Sequence, residues 1–265
     1  MSLGSQIAAN LPYLRRYARA LTGSQAAGDA FVRAMLEAVV ADAALMASLD
    51  GCRVPLYRAF TKVWASAQLA DAPVAGANTS EHEAGAQLRL GAMTPPARQA
   101  LLLTTLEDFT TAEAAAILEL DNAAVAALVA EAVAEIEAEQ KTSVLIIEDE
   151  PLIAMQLEDL VSGLGHRIYG TAATRTQARE VVGDTLPGLV LADIQLADGS
   201  SGLDAVDDIL GVGRVPVIFI TAYPERLLTG DRPEPTYLVT KPFQEATVRA
   251  AISQALFFQS SKPLG

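Results

Sequence analysis

The chain is 265 residues long and 51% hydrophobic, enough for sizeable cores in one to three domains, which excludes global disorder. Its formal net charge of −13 argues against a protein that coats nucleic acid. Cys52 is the only cysteine and the two histidines, His82 and His166, are scattered, which excludes a disulfide framework and a Cys- or His-based metal site. No basic-plus-apolar leader follows Met1 and no apolar run is long enough to span a bilayer, so the expectation is a cytoplasmic protein.

From Ser5 to about Tyr57 the pattern is helical. Leu11, Leu14, Tyr17, Ala18 and Leu21 share one face at three- and four-residue steps, with Arg15, Arg16 and Arg19 on the other side. Thr22-Gly23-Ser24 ends this helix and caps a second, which runs from Ala26 through Phe31, Met35, Leu36 and Val39 and slackens near Asp42. A third begins at Pro55 and carries Leu56, Phe60, Val63 and Trp64 inward. From Ala65 to Ala92 small and polar residues gather, which reads as a linker with a short helix from Ser80, where Ser80 and Glu83 have capping-box spacing. Then comes a compact helical unit. Pro95 and Pro96 open a helix with Leu101, Leu102, Leu103 and Leu106. Thr110-Thr-Ala-Glu113 is a second capping box, and Asp121 caps a longer helix through Val125, Leu128, Val129, Val133 and Ile136. Helix, short helix, turn, helix is a helix-turn-helix arrangement.

After Lys141 the pattern alternates. Apolar runs at 144–147, 189–192, 216–220 and 237–240 read as buried strands, with His166–Ala172 as the second strand of five. Helices are expected from Pro151 through Leu164, near Arg175–Val182, at Leu203–Leu210 with Leu203, Val206, Ile209 and Leu210 inward, and at Gln244–Phe258. This implies a parallel, doubly wound α/β sheet. Each apolar run ends on chemistry-bearing residues: Glu148-Asp149-Glu150, Asp193, Thr221 and Lys241-Pro242-Phe243. In parallel strands these converge at the carboxyl edge, where open α/β sheets place their sites.

That constellation resembles the phosphoacceptor receiver domain of two-component response regulators. The resemblance implies a flavodoxin-like fold of strand order 2-1-3-4-5 and Asp193 as the phosphoryl acceptor. Glu148, Asp149 and Asp193 would hold Mg²⁺ with the main-chain carbonyl of Gln195, since this hard cation takes oxygen ligands. Lys241 and the Thr221 hydroxyl would each bind a phosphoryl oxygen. Receivers commonly carry a switch aromatic three residues before the lysine, which here is Leu238; Tyr237 is one position off and Tyr223 follows Thr221, so which tyrosine moves, if either, stays open.

The helical region carries a second resemblance. Pro95 to Leu118 looks like the promoter −35-reading domain of extracytoplasmic-function sigma factors, and Leu11 to Gly23 is similar to the start of their core-binding domain. Between Gln99 and Gln140, however, there is no Lys or Arg, only Glu107, Asp108, Glu113, Glu119, Asp121, Glu131, Glu135, Glu137 and Glu139. A helix that enters the major groove needs basic residues. The plainest account of those acids is a solvated helix face.

A sigma-like shape without DNA chemistry, joined to a receiver, resembles the PhyR-type general stress response regulators of alphaproteobacteria. The expected organisation is a sigma2-like helical domain at 1–64, a linker at 65–93, a sigma4-like helix-turn-helix-like domain at 94–140 and the receiver at 141–265. The resemblance implies a regulator rather than an enzyme, an anti-anti-sigma factor whose phosphorylation by a sensor histidine kinase frees the sigma-like region to sequester a NepR-type anti-sigma factor, with no direct nucleic-acid or membrane partner. Competing readings are a DNA-binding regulator or working sigma factor, and a relay receiver whose helical part only dimerises.

Overall fold

The computed structural model describes residues 3–49, 53–70, 95–138, 140–183, 185–196, 198–222, 224 and 235–260. Most of the expected linker and the helix expected from Ser80, with its Ser80–Glu83 cap, lie outside the described residues, as does Tyr223. The chain divides into two compact units with the boundary between Val133 and Ala134.

The first unit holds α1 (Leu3–Thr22), α2 (Gln25–Ala41), α3 (Ala43–Ser48), α4 (Arg53–Ala70), α5 (Pro96–Thr105), α6 (Thr111–Leu118) and most of α7 (Asn122–Ala138). The stops and starts follow local chemistry. Gly23 takes φ +63 and its N–H closes on the Arg19 carbonyl at 2.8 Å, a conformation that favours glycine. The Ser24 side chain accepts from Ala27 N as the cap of α2. Thr110 and Glu113 form the reciprocal capping box of α6, and Asp121 Oδ1 accepts from Ala124 N at 2.7 Å. Asp42 does more than mark the end of α2: its Oδ1 accepts from Ala44 N and Leu45 N at 2.8 and 3.1 Å, which starts the short helix α3 that the apolar pattern misses. Helix α4 begins at Arg53, ahead of Pro55.

An aromatic core ties these helices together. Tyr17 packs on Tyr57 and Phe60, Phe31 meets Trp64 edge-on at 4.8 Å, and Tyr57 meets Phe109 at 4.9 Å. The assignment of Arg15, Arg16 and Arg19 to the outer side of α1 is corrected for two of them. Arg16 and Arg19 are buried, each paired with a carboxylate: Arg16 with buried Glu107 and Arg19 with half-buried Asp29. Arg19 and Arg15 both grip Asp29, at 2.8–3.0 and 3.1–3.2 Å. Burial alone would raise the Asp29 carboxyl, but the two guanidinium groups outweigh it and hold it below the usual range. Arg16 reaches Glu107, which is likewise buried, so the acids of this segment are not all a solvated face.

The second unit is a five-stranded parallel sheet in the order β2-β1-β3-β4-β5, built from β1 (Ser143–Ile147), β2 (Arg167–Ala172), β3 (Leu189–Asp193), β4 (Val217–Thr221) and β5 (Tyr237–Thr240). Its helices are α8 (Pro151–Gly163), α9 (Arg175–Val182), α10 (Gly202–Val212) and α11 (Glu245–Ser260). Strands covered on both faces read as unbroken apolar runs, which is why they are legible. One face, through Leu145, Ile147, Val190, Ala192, Phe219 and Leu238, packs with Ala178 and Val182 of α9 and Ala205, Val206 and Ile209 of α10. Helices α8 and α11 lie against the other face. Leu210, expected inward, is 42% exposed near the end of α10. Alternation along β5 sends Leu238 to the α9/α10 side, while the Tyr237 hydroxyl donates to the Gln254 carbonyl of α11.

Helices α1 and α2 approach so closely at Gly28 that a Cβ there would lie 2.7–2.9 Å from the main chain of Ala18 and Arg19. Backbone atoms cannot rotate aside, so Gly28→Ala is expected to cost about 1–3 kcal/mol through overpacking despite the better helix propensity of alanine. Thermal denaturation checks this: a melting temperature several degrees lower is expected, and an unchanged or higher one contradicts the close approach.

Candidate functional site at the carboxyl edge of the sheet

The sheet brings the predicted residues together by topology alone. β1 and β3 are neighbours, paired Ile147 with Ala192, and lead into Glu148-Asp149 and Asp193 side by side. β4 and β5 pair Thr221 with Thr240, so Lys241 emerges next to Thr221, its N–H donating to the Thr221 carbonyl at 2.7 Å. The site lies between β1 and β3, where the chain winds to either side of the sheet.

The geometry is that of three clustered acids, two of them bonded to one lysine. The ligand oxygens of Glu148, Asp149 and Asp193 lie within 4.8 Å of one another. Lys241 Nζ donates to Asp193 Oδ2 at 2.6 Å and to Glu148 Oε1 at 3.0 Å. Asp193 Oδ1 accepts from the N–H groups of Ile194 and Gln195, which pins the carboxylate over its own loop. Glu148, Asp193 and Thr221 are buried, and Lys241 and Asp149 are half-buried. Burial raises the Glu148 carboxyl, helped by the Asp193 charge, and Lys241 opposes that rise only in part. Burial would lower the Lys241 ammonium, but its bonds to Asp193 and Glu148 prevail and raise it.

This donor set fits a hard divalent cation: three carboxylates, all oxygen. Glu148 Oε2 sharpens the fit, since it is buried and has no hydrogen-bond partner, although Lys241 Nζ stands 2.9 Å away without the alignment of a bond. Such an oxygen costs free energy until something satisfies it. The loop after Asp193 folds back on itself. Gln195 bridges to Ser201, and the Gly202 N–H donates to the Ile194 carbonyl at 2.9 Å. A Cβ on Gly202 would collide with the Asp193 carbonyl, so glycine here lets the start of α10 close against the acid.

One participant lies outside the sequence-based set. Glu150 Oε1 stands 3.5 Å from Lys241 Nζ, a further acid around the same ammonium. Its place in the run Glu148-Asp149-Glu150 was the available signal.

Comparison with known proteins agrees with both halves. Residues 7–61 match the Sigma2 domain of PhyR, residues 90–139 the sigma-like domain of response regulator PhyR, and residues 144–253 the response regulator receiver domain. The phyllosphere-induced regulator PhyR of Methylorubrum extorquens is 54% identical over 262 residues, 98% of this chain and 97% of that one. The chain belongs to the PhyR family. Two solved family structures, from Brucella abortus and Bartonella quintana, superpose with a TM-score of 0.85 each at 48% and 49% identity; each covers 98% of this chain, and 96% and 97% of their own. The second is described as an anti-anti-sigma factor. As a family member, the chain is a response regulator, a sigma-like helical region joined to a receiver domain. No helix among the described residues is long and apolar enough to cross a membrane.

Asp193→Ala is expected to abolish labelling by acetyl phosphate with Mg²⁺ while the sheet stays folded. Phosphate-affinity electrophoresis reads the modified fraction, and labelling equal to that of the parent protein removes Asp193 from the acceptor position.

Proposed function

We propose that this chain is a phosphorylation-switched anti-anti-sigma factor. Asp193 accepts the phosphoryl group, and the sigma-like region then sequesters a NepR-type anti-sigma factor, so that the sigma factor is released. The observation that carries this reading is the Lys241–Asp193–Glu148 cluster, in which Asp193, at the end of β3, is tied at once to the Lys241 ammonium and to the N–H groups of Ile194 and Gln195 in its own loop.

The chemistry follows from those contacts. An Asp193 carboxylate oxygen attacks the phosphorus of a phosphohistidine on a sensor kinase; the new P–O bond forms as the P–N bond breaks, and its electron pair stays on the departing imidazole. Mg²⁺, held by Glu148, Asp149 and Asp193 with the Gln195 carbonyl, supplies charge to offset the phosphoryl oxygens when bound. Lys241, already 2.6 Å from Asp193, takes one phosphoryl oxygen, and the Thr221 hydroxyl takes another. The protein's part is positioning and charge compensation.

The modification reaches the helical region by a population shift. Phosphorylation adds charge at the sheet edge and exchanges the Asp193–Lys241 pair for contacts through the phosphoryl group. A second receiver conformation that fits those contacts is then favoured, with the modification selecting between two states. Only residues 139–142 separate α7 from β1, so a change in the receiver has a short path along the chain. The sigma-like region supports a protein partner over DNA, since Gln99 to Gln140 carries no Lys or Arg to hold phosphates. This reading places the protein in the cytoplasm.

Isothermal titration of a purified NepR-type anti-sigma factor into unmodified and phosphorylated full-length chain tests the reading. Affinity is expected to rise about 5- to 150-fold on phosphorylation, the usual span of such coupling. Equal affinity refutes the gating. Tight, sequence-selective promoter binding in a low-salt gel shift, the condition most favourable to phosphate contacts, would replace it with a DNA-binding role.

A further inference from the structure

We propose that Glu107 is a clamp that holds the two halves of the helical unit, α1–α4 and α5–α7, at the one spacing at which they form a continuous partner-binding face; the partner-binding half of this inference rests on the function proposed above. Glu107 follows α5, and its side chain is 0% exposed. The groups that reach it come from the opposite half. Arg16 of α1 donates through Nε to Oε1 at 3.0 Å, and its Nη2 donates to the Leu106 carbonyl at 2.7 Å. Arg53 of α4 donates through Nη2 to Oε2 and to the Glu107 carbonyl, both at 3.0 Å, and the Tyr57 hydroxyl donates to Oε2 at 2.7 Å. Burial first, and then the Glu107 charge, push the Tyr57 phenol well above its ordinary value, so it stays a donor. Two guanidinium groups therefore close off the carboxyl end of α5, whose last carbonyls carry partial negative charge.

The rest of the seam does not fix a spacing as strictly. Lys62–Glu119 at 2.8 Å is exposed on both sides, and Arg58 Nε donates to the Ala116 carbonyl at the surface. Exposed pairs of this kind contribute little. The Tyr57–Phe109 contact is an apolar edge-to-face pair that carries no charge of its own. A buried carboxylate with directional donors resists displacement, because any shift leaves charge uncompensated away from water. Unlike these surface pairs, the Glu107 knot is both buried and directional.

The test uses the full-length chain with Cys52→Ser and spin labels at Val40→Cys on α2 and Ala126→Cys on α7, both exposed positions. Dipolar electron resonance is expected to give one narrow distance distribution in this parent. Glu107→Ala and Glu107→Gln are expected to add longer distances with unchanged far-ultraviolet circular dichroism, and to weaken anti-sigma binding by the phosphorylated protein at least about tenfold. Arg58→Ala, at the same seam, is expected to change neither. If Glu107→Ala loses helicity, Glu107→Gln decides. The parent distribution in the folded Glu107 variants, or equal broadening in Arg58→Ala, overturns the clamp. Broadening with unchanged affinity overturns the link to the partner face. A parent that fails to bind the partner counts against the proposed function, while the distances still judge the clamp.

Discussion

Lys241 Nζ stands 2.6 Å from Asp193 and 2.9–3.0 Å from both oxygens of Glu148, with Asp149 and Glu150 close by, and the receiver site depends on this imbalance. Like charges this close repel, and the burial of Glu148 and Asp193 strengthens the repulsion between them. One ammonium cannot satisfy all the carboxylates, and Glu148 Oε2 remains without a hydrogen bond. The three acids together form a cluster that could hold a metal ion. Under the proposed function, a phosphoryl group carried in with a cation would change which contacts are best. The strands beneath this cluster are fully buried: Val144 to Ile147 and Leu189 to Ala192 are 0% exposed.

The helical unit handles charge in the opposite way. Half-buried Asp29 is answered by Arg15 and Arg19, and buried Glu107 by Arg16, Arg53 and Tyr57. Such pairs add little net stability compared with apolar packing, but they are costly to break on one side, which makes them good setters of geometry. The two units thus divide the labour. One carries more carboxylates than its single lysine answers, and the other pairs each of these acids with cations of its own.

Much of the receiver was legible because its signals are local. An apolar run of four or five residues ending on an acid or a lysine states both a buried strand and what it delivers, and the parallel order then brings Glu148, Asp149, Asp193, Thr221 and Lys241 together. The helical unit was less legible where the determining contact is distant in sequence. Arg16 looks like a solvent-facing residue of an amphipathic helix, and Glu107 like one acid in an acidic run. Their burial follows only from a pairing across ninety-one positions, which periodicity does not register. Helix α3 was missed for a local reason: its six residues, Ala43–Ser48, are too few to show a period, and its start rests on one side chain, Asp42.

Under the proposed function, the state of Asp193 and the occupancy of the sigma-like region are two ends of one equilibrium. Thermodynamic reciprocity then requires that a bound partner make the phosphorylated form easier to reach. The most direct measurement is the equilibrium fraction of Asp193 phosphorylated by a reversible donor, read by phosphate-affinity electrophoresis as the anti-sigma partner is titrated in. The equilibrium constant for phosphorylation is expected to rise, from free to partner-saturated protein, by the same factor by which phosphorylation tightens partner binding. A fraction that stays flat through saturation of the partner would contradict it.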